Sequence, residues 1–228
     1  MNPADHPTAW EHPPTRHAWN LLMARNVAGL VAWVGIWIAL LALTRETRWL
    51  LWIFIPYSVY ASWRLFVQLF GYFPSAMREL RILRTYPWQV LQGVPRGLDR
   101  YPEIVGSQFG WFEFPHPADR SQNLPLVVSN HLRVGWWHRR MGPRAKPQLK
   151  AQIETLWFAG DPRMIGLVAA PSPDGRSPRR FKVLAQRLAN APHVLTTEWG
   201  TTPEDVERGR RAGFSPDTAP QAAKGKAL

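Results

Sequence analysis

The chain has 228 residues, a formal net charge of +12 and no cysteine. The missing cysteines exclude disulfides, thiolate metal sites and Cys nucleophiles together. A hydrophobic content of 46%, with thirteen tryptophans, excludes a wholly disordered chain, and the length fits one or two domains.

Residues 1–18 carry four prolines and little apolar content, and predict a disordered segment. From Asn26 to Thr44 run nineteen residues without a formal charge, close to the roughly 20 that cross a bilayer core as a helix. A second apolar run fills 49–63 and resumes after Arg64 to Phe73, with only Arg45-Glu46-Thr47-Arg48 between the two runs. This pattern predicts a transmembrane helical hairpin over 19–73, with spans at about 26–44 and 49–71. A cleaved signal peptide is the competing reading of the first run. Its apolar core is longer than the usual 7–15 residues, and a second run follows at once. Arg16, Arg25, Arg64, Arg78, Arg81 and Arg84 flank one end of the hairpin, against Arg45 and Arg48 at the other. By the positive-inside bias, both termini are expected in the cytoplasm, making the chain a multi-pass protein of the inner or plasma membrane.

Within the first span Ala28, Ala32, Gly35, Ala39 and Ala42 recur at steps of four and three, on one helix face. Ser58 and Ser62 answer in the second span. Small residues let membrane helices approach closely, so these positions predict the hairpin's packing seam, with homo-oligomerisation through the first span as a second use. Pairing the spans around their link sets Arg64 level with Gly29, shallow enough for its side chain to snorkel.

Pro74 opens an amphipathic helix over 74–86, read as juxtamembrane, with Met77, Leu80 and Leu83 as its apolar stripe. From 87 to 197 short apolar runs alternate with turn signals. Strands are expected at 88–94, 107–114, 124–128, 131–137, 154–159, 164–169 and 180–185. Gly160-Asp161-Pro162 and Asp174-Gly175 are turn candidates. The fold class expected is therefore an α+β membrane protein: a two-helix hairpin followed by a small antiparallel β domain, barrel-like or sandwich-like, in the cytoplasm. In 198–228, Thr202-Pro203-Glu204-Asp205 signals a capped helix that Gly213 stops, and a disordered tail follows.

No phosphate-binding Gly-rich loop, GxSxG elbow or HExxH motif occurs. The histidines are scattered, so no metal site or cofactor is expected, and no catalytic residue stands out. The signal is charge. Between Arg120 and Arg187 thirteen Lys/Arg face three acids. Arg133, Arg139, Arg140, Arg144, Lys146 and Lys150 form a stretch with no acid, beside Trp136 and Trp137. These residues predict a surface for an anionic lipid, or for an acidic protein or nucleic-acid partner. If 131–137 is a strand, only one of the two tryptophans points outward. The function expected is non-enzymatic: a membrane anchor for a basic β domain. The alternatives are a membrane-linked DNA- or RNA-handling component, and an enzyme on a lipid-proximal substrate.

Overall fold

A computed structural model describes residues 2–98, 110–119, 121–129, 132–186 and 199–215. The chain divides into two compact units, one formed by 17–77 and the other by 1–16 with 78–228.

The first unit is a pair of antiparallel helices. Helix α1 spans Pro13–Glu46 and α2 spans Leu51–Val67. A single π-helical turn, Gln68–Tyr72, joins α2 to α3, Phe73–Thr85. The pairing falls along one helix as it rises along the other. Trp37 Nε1 donates to Ser58 Oγ (2.9 Å), the Tyr57 hydroxyl donates to the Trp33 carbonyl (3.3 Å), Gln68 Nε2 donates to the Asn26 carbonyl, and Trp19 Nε1 donates to the Ala76 carbonyl (3.0 Å). Among the described helices one, α1, is long and apolar enough to cross a membrane. The run at 49–71 is α-helical only to Val67 and ends in the π turn, so it does not form a second regular span of that length.

The seam differs from the expected one. Ala28, Ala32, Gly35 and Ala39 all face outward, and a Cβ at Gly35 would meet nothing within 4 Å. Ser62 is exposed as well. Ser58 alone of the predicted set lies in the contact, as the acceptor for Trp37. The physical reason is that α1 is apolar all round, so its small residues carry no directional information. The side chains with polar atoms to satisfy do. The Trp37 indole and Ser58 bond each other, and Tyr57 and Gln68 donate to the backbone carbonyls of Trp33 and Asn26. Among the described residues all but one of the exposed large apolar side chains lie between Leu21 and Met77, Val90 being the exception.

The second unit is built on one curled antiparallel sheet of seven strands, a half-barrel in the order β1-β5-β6-β7-β4-β3-β2. The strands are β1 Gln89–Gln92, β2 Arg96–Gly97, β3 Trp111–Pro115, β4 Asn123–Val128, β5 Thr155–Asp161, β6 Ile165–Pro171 and β7 Pro178–Ala185. Alternate residues of one face, among them Phe112, Phe114, Leu126, Val128, Leu156, Phe158 and Leu184, share a core with Trp137, Met141 and Ile153. Strands β5 to β7 are buried on their other face too, where Trp88 packs on Trp157 (5.7 Å) and Phe181 (6.5 Å). That double burial explains why they read as continuous apolar runs rather than alternating ones.

Three expectations are corrected here. The run at 131–137 is not a strand: Gly135–Met141 is helix α4, followed by α5, Pro147–Ala151, while His131 lies outside the described residues. Residues 2–18 are not a loose segment. The Ala9 amide donates to the Tyr86 carbonyl (2.8 Å), Trp88 Nε1 donates to Thr15 Oγ1 (2.9 Å), and His12 packs edge-on against Trp157. These few contacts with large buried aromatics outweigh a polar, proline-rich composition. Third, α3 does not present a free apolar stripe to a membrane surface. Ile82 and Leu83 are fully buried, while Met77 is exposed. The tail beyond 215 lies outside the described residues.

The β5–β6 hairpin carries the clasp for the last helix, α6, Pro203–Arg211. Asp161 accepts from the Arg163 amide (2.9 Å), as a turn-forming Asp does, and also from Arg163 Nε (3.0 Å). Arg163 Nη2 pairs with Asp161 (2.7 Å) and with Asp205 (3.0 Å), and Nη1 reaches the carbonyls of Trp199 and Gly200. Asp205 also completes a capping box with Thr202 at the α6 N-terminus. Gly209 is needed where α6 crosses Met164, because a Cβ there would sit 2.6 Å from the Met164 sulfur.

Candidate anion-binding site

The most unusual surface of the second unit centres on Trp136. Helix α4 is only seven residues long and has no side-chain cap. It is held by burial of Trp137 and Met141, which lie four apart and so on one helix face. That choice sends Trp137 into the core. There its ring meets Phe112 edge-on, and its Nε1 donates to the Arg180 carbonyl (3.1 Å). Trp136 is left half-buried at the surface, 5.0 Å from the Trp137 ring.

Three guanidinium groups surround the Trp136 ring. Arg140 stacks 3.8 Å from its centroid, with Arg179 at 5.7 Å and Arg180 at 5.9 Å. Arg140 is fixed by two bonds to Gln152 Oε1 (3.0 and 2.7 Å) and one to the Trp136 carbonyl (2.9 Å). Burial, and then the like charges of Arg139, Arg179 and Arg180, push the Arg140 guanidinium below its ordinary value. Among the described residues none of these four arginines forms an ion pair with a carboxylate. A local field of one sign, uncompensated among the described residues, favours an external anion.

Arg179 and Arg180 are neighbours on β7 and would ordinarily point to opposite faces. The β6–β7 register shifts by one residue between Val168 and Ala170, where Lys182 pairs with Val168 but Arg179 pairs with Ala170. This bulge gives β7 an extra residue and lets both arginines reach the same ring. Arg180 adopts φ 59°, and Arg133 adopts φ 55°. They are the two non-glycine residues with positive φ among the described residues, and Arg180 belongs to the Trp136 cluster. Strain of this kind persists only where surrounding contacts enforce it. Here Trp137 Nε1 holds the carbonyl of Arg180, and Lys182 Nζ holds the carbonyl of Leu132, next to Arg133 (2.6 Å).

Of the predicted surface residues, Arg139 and Arg140 join the cluster and Trp136 forms its floor. Arg133, Arg144 and Lys146 are exposed. Lys150 is tied to the Pro143 carbonyl (3.1 Å), and Trp137 belongs to the core. Arg179 and Arg180 lie outside the 133–150 stretch to which the sequence points. Their only trace in the sequence is the paired arginine after Pro178, some forty residues from Trp136. Among the described residues no group of three or more His, Asp or Glu is placed to hold a metal ion.

Lys182 lies behind the cluster, buried, with its ammonium pushed down to about 8 by burial and by Arg133, against the opposing pull of Glu79. The ordinary value is 10.5, so the folded chain binds fewer protons than the unfolded chain between about pH 8 and 10.5. Stability therefore rises with pH across that window. Lys182→Met is expected to abolish a rise of about 2 kcal/mol, read from denaturant midpoints of the detergent-solubilised chain at about pH 7.5 and 9.5.

The class defined so far is an α+β protein with one long apolar helix near its N-terminus and an arginine-lined face on its sheet domain. No known protein family, curated protein or solved structure matches the chain.

Proposed function

We propose that the chain is a non-enzymatic integral membrane protein. Helices α1 and α2 span the bilayer as a hairpin with both termini in the cytoplasm, and the sheet domain grips anionic phosphate groups of the membrane surface through the arginines around Trp136. The observation that carries the binding role is three guanidinium groups within 6 Å of one half-buried tryptophan ring, with no acidic partner among the described residues. The membrane reading is supported by the inversion of the helix pair, whose polar side chains turn inward while bulky apolar ones such as Val31, Trp52, Val59 and Phe70 face out. In water such a surface is an aggregation hazard; in lipid it is the required one.

Each arginine near an anionic leaflet contributes on the order of 1 kcal/mol, and salt screens it. Tryptophan favours the headgroup region, which suits Trp136 as the floor of the site. The anchor keeps the domain close to lipid, so even this modest attraction fixes its orientation. The test places the full-length protein in nanodiscs of phosphatidylcholine, with or without phosphatidylglycerol. Amide exchange across 132–141 and 178–182 should slow only with phosphatidylglycerol, and salt should reverse the effect. If exchange is the same in both discs but slows when single-stranded oligonucleotide is added to neutral ones, the site belongs to nucleic acid. If neither changes it, the arginines have no anion-binding role.

A further inference from the structure

We infer that Arg64 binds the phosphate diester of one anionic phospholipid at the flank of the α1–α2 pair. This inference rests on the membrane reading above, but not on the Trp136 site.

Arg64 lies against α1. Its guanidinium carbon lies 5.8 Å from the centroid of the Trp33 ring. The same ring is bordered by Tyr57 at 6.0 Å and Tyr60 at 5.5 Å. Arg64 Nε is buried and has no hydrogen-bond partner, and Arg64 makes no ion pair among the described residues.

The unit formed by 17–77 contains one carboxylate, Glu46. It stands thirteen residues beyond Trp33 on α1, about 20 Å away along the helix, out of reach of Arg64. One turn from Arg64 the seam is closed by Gln68, which is buried and bonded to the Asn26 carbonyl. Gly29 permits that closure, since a Cβ there would lie 3.3 Å from Gln68 Nε2. The π turn that starts at Gln68 is a local irregularity of a kind that recurs at functional sites.

The guanidinium thus has an aromatic wall on one side, a closed seam beyond it and no internal counter-charge. Its side chain is only half-buried, so in the membrane reading its uncovered part meets lipid. The acceptor available there is a lipid phosphate, which matches the planar donor fork of arginine in two parallel hydrogen bonds. An anionic headgroup leaves the pair neutral in a medium of low dielectric, whereas a zwitterionic one brings its own competing cation.

The experiment counts lipids that stay on the full-length protein after detergent exchange, by native mass spectrometry, with phosphatidylglycerol and phosphatidylcholine supplied in equal amounts. The expected result is one retained phosphatidylglycerol, not displaced by inorganic phosphate, with occupancy reduced at least tenfold by Arg64→Gln and partly restored by Arg64→Lys. Replacing Arg139, Arg179 and Arg180 together by Ser should leave that lipid in place, which separates it from the surface site. Equal retention by wild type and Arg64→Gln, equal retention of the two lipids, or displacement by inorganic phosphate overturns the inference while leaving the membrane reading intact. Release of the wild-type protein from membranes by alkaline carbonate overturns both.

Discussion

Replacing Arg163 by methionine is expected to destabilise the sheet domain by about 3–5 kcal/mol, the largest effect of any single substitution considered. The guanidinium is 7% exposed and pairs with Asp161, 10% exposed, and Asp205, 21% exposed. Methionine keeps the volume but leaves two carboxylates facing each other with no cation between them. It also frees the carbonyls of Trp199 and Gly200 and unpins α6. Urea unfolding of the detergent-solubilised chain, followed by the near-ultraviolet signal of its tryptophans, measures the loss. A change below 1 kcal/mol would mean that α6 is held by Met164 packing alone. Arg163→Met with Asp161→Asn and Asp205→Asn should recover part of the loss, because the unpaired charges are then gone.

Arg180→Gly is expected to move stability and binding in opposite directions. At φ 59° glycine removes the steric cost of a Cβ, about 1 kcal/mol, less what its flexibility costs in the unfolded chain. The same change deletes one of the guanidinium groups around Trp136, which should weaken anionic-lipid binding by about fivefold at low salt, the equivalent of roughly 1 kcal/mol. A variant that folds more tightly and binds less well marks strain kept for function. Loss of stability together with unchanged binding would show that the bulge serves only packing.

What the sequence reveals and what it hides follow from the range of the interactions. The β5–β6 hairpin is legible because apolar runs flank Gly160-Asp161-Pro162, and α6 because its cap, first-turn acids and stop glycine are all local. Helix α4 is not. Gly135-Trp136-Trp137 has strand-like composition and no cap, and the Trp137–Met141 spacing that betrays a buried helix face is a single pair. Side chains that need a hydrogen-bond partner mark the seam of the helix pair, and small residues do not. On α1 that side chain is Trp37, and on the facing helical segment they are Tyr57, Ser58 and Gln68. The Trp136 site was half-legible. Arg139 and Arg140 are neighbours in sequence, but Arg179 and Arg180 arrive through a sheet register and a bulge that no local pattern encodes.

In the proposed topology the two helices form a membrane hairpin that anchors the sheet domain on the cytoplasmic side. A chain without cysteine allows it to be tested with single probes. Thr47→Cys sits in the link between α1 and α2, and Ser215→Cys lies just beyond α6. A membrane-impermeant thiol reagent applied to intact cells should label Thr47→Cys and spare Ser215→Cys, and both should react once the cells are opened. Labelling of Ser215→Cys alone would invert the orientation, and equal labelling of the two in intact cells would contradict the hairpin.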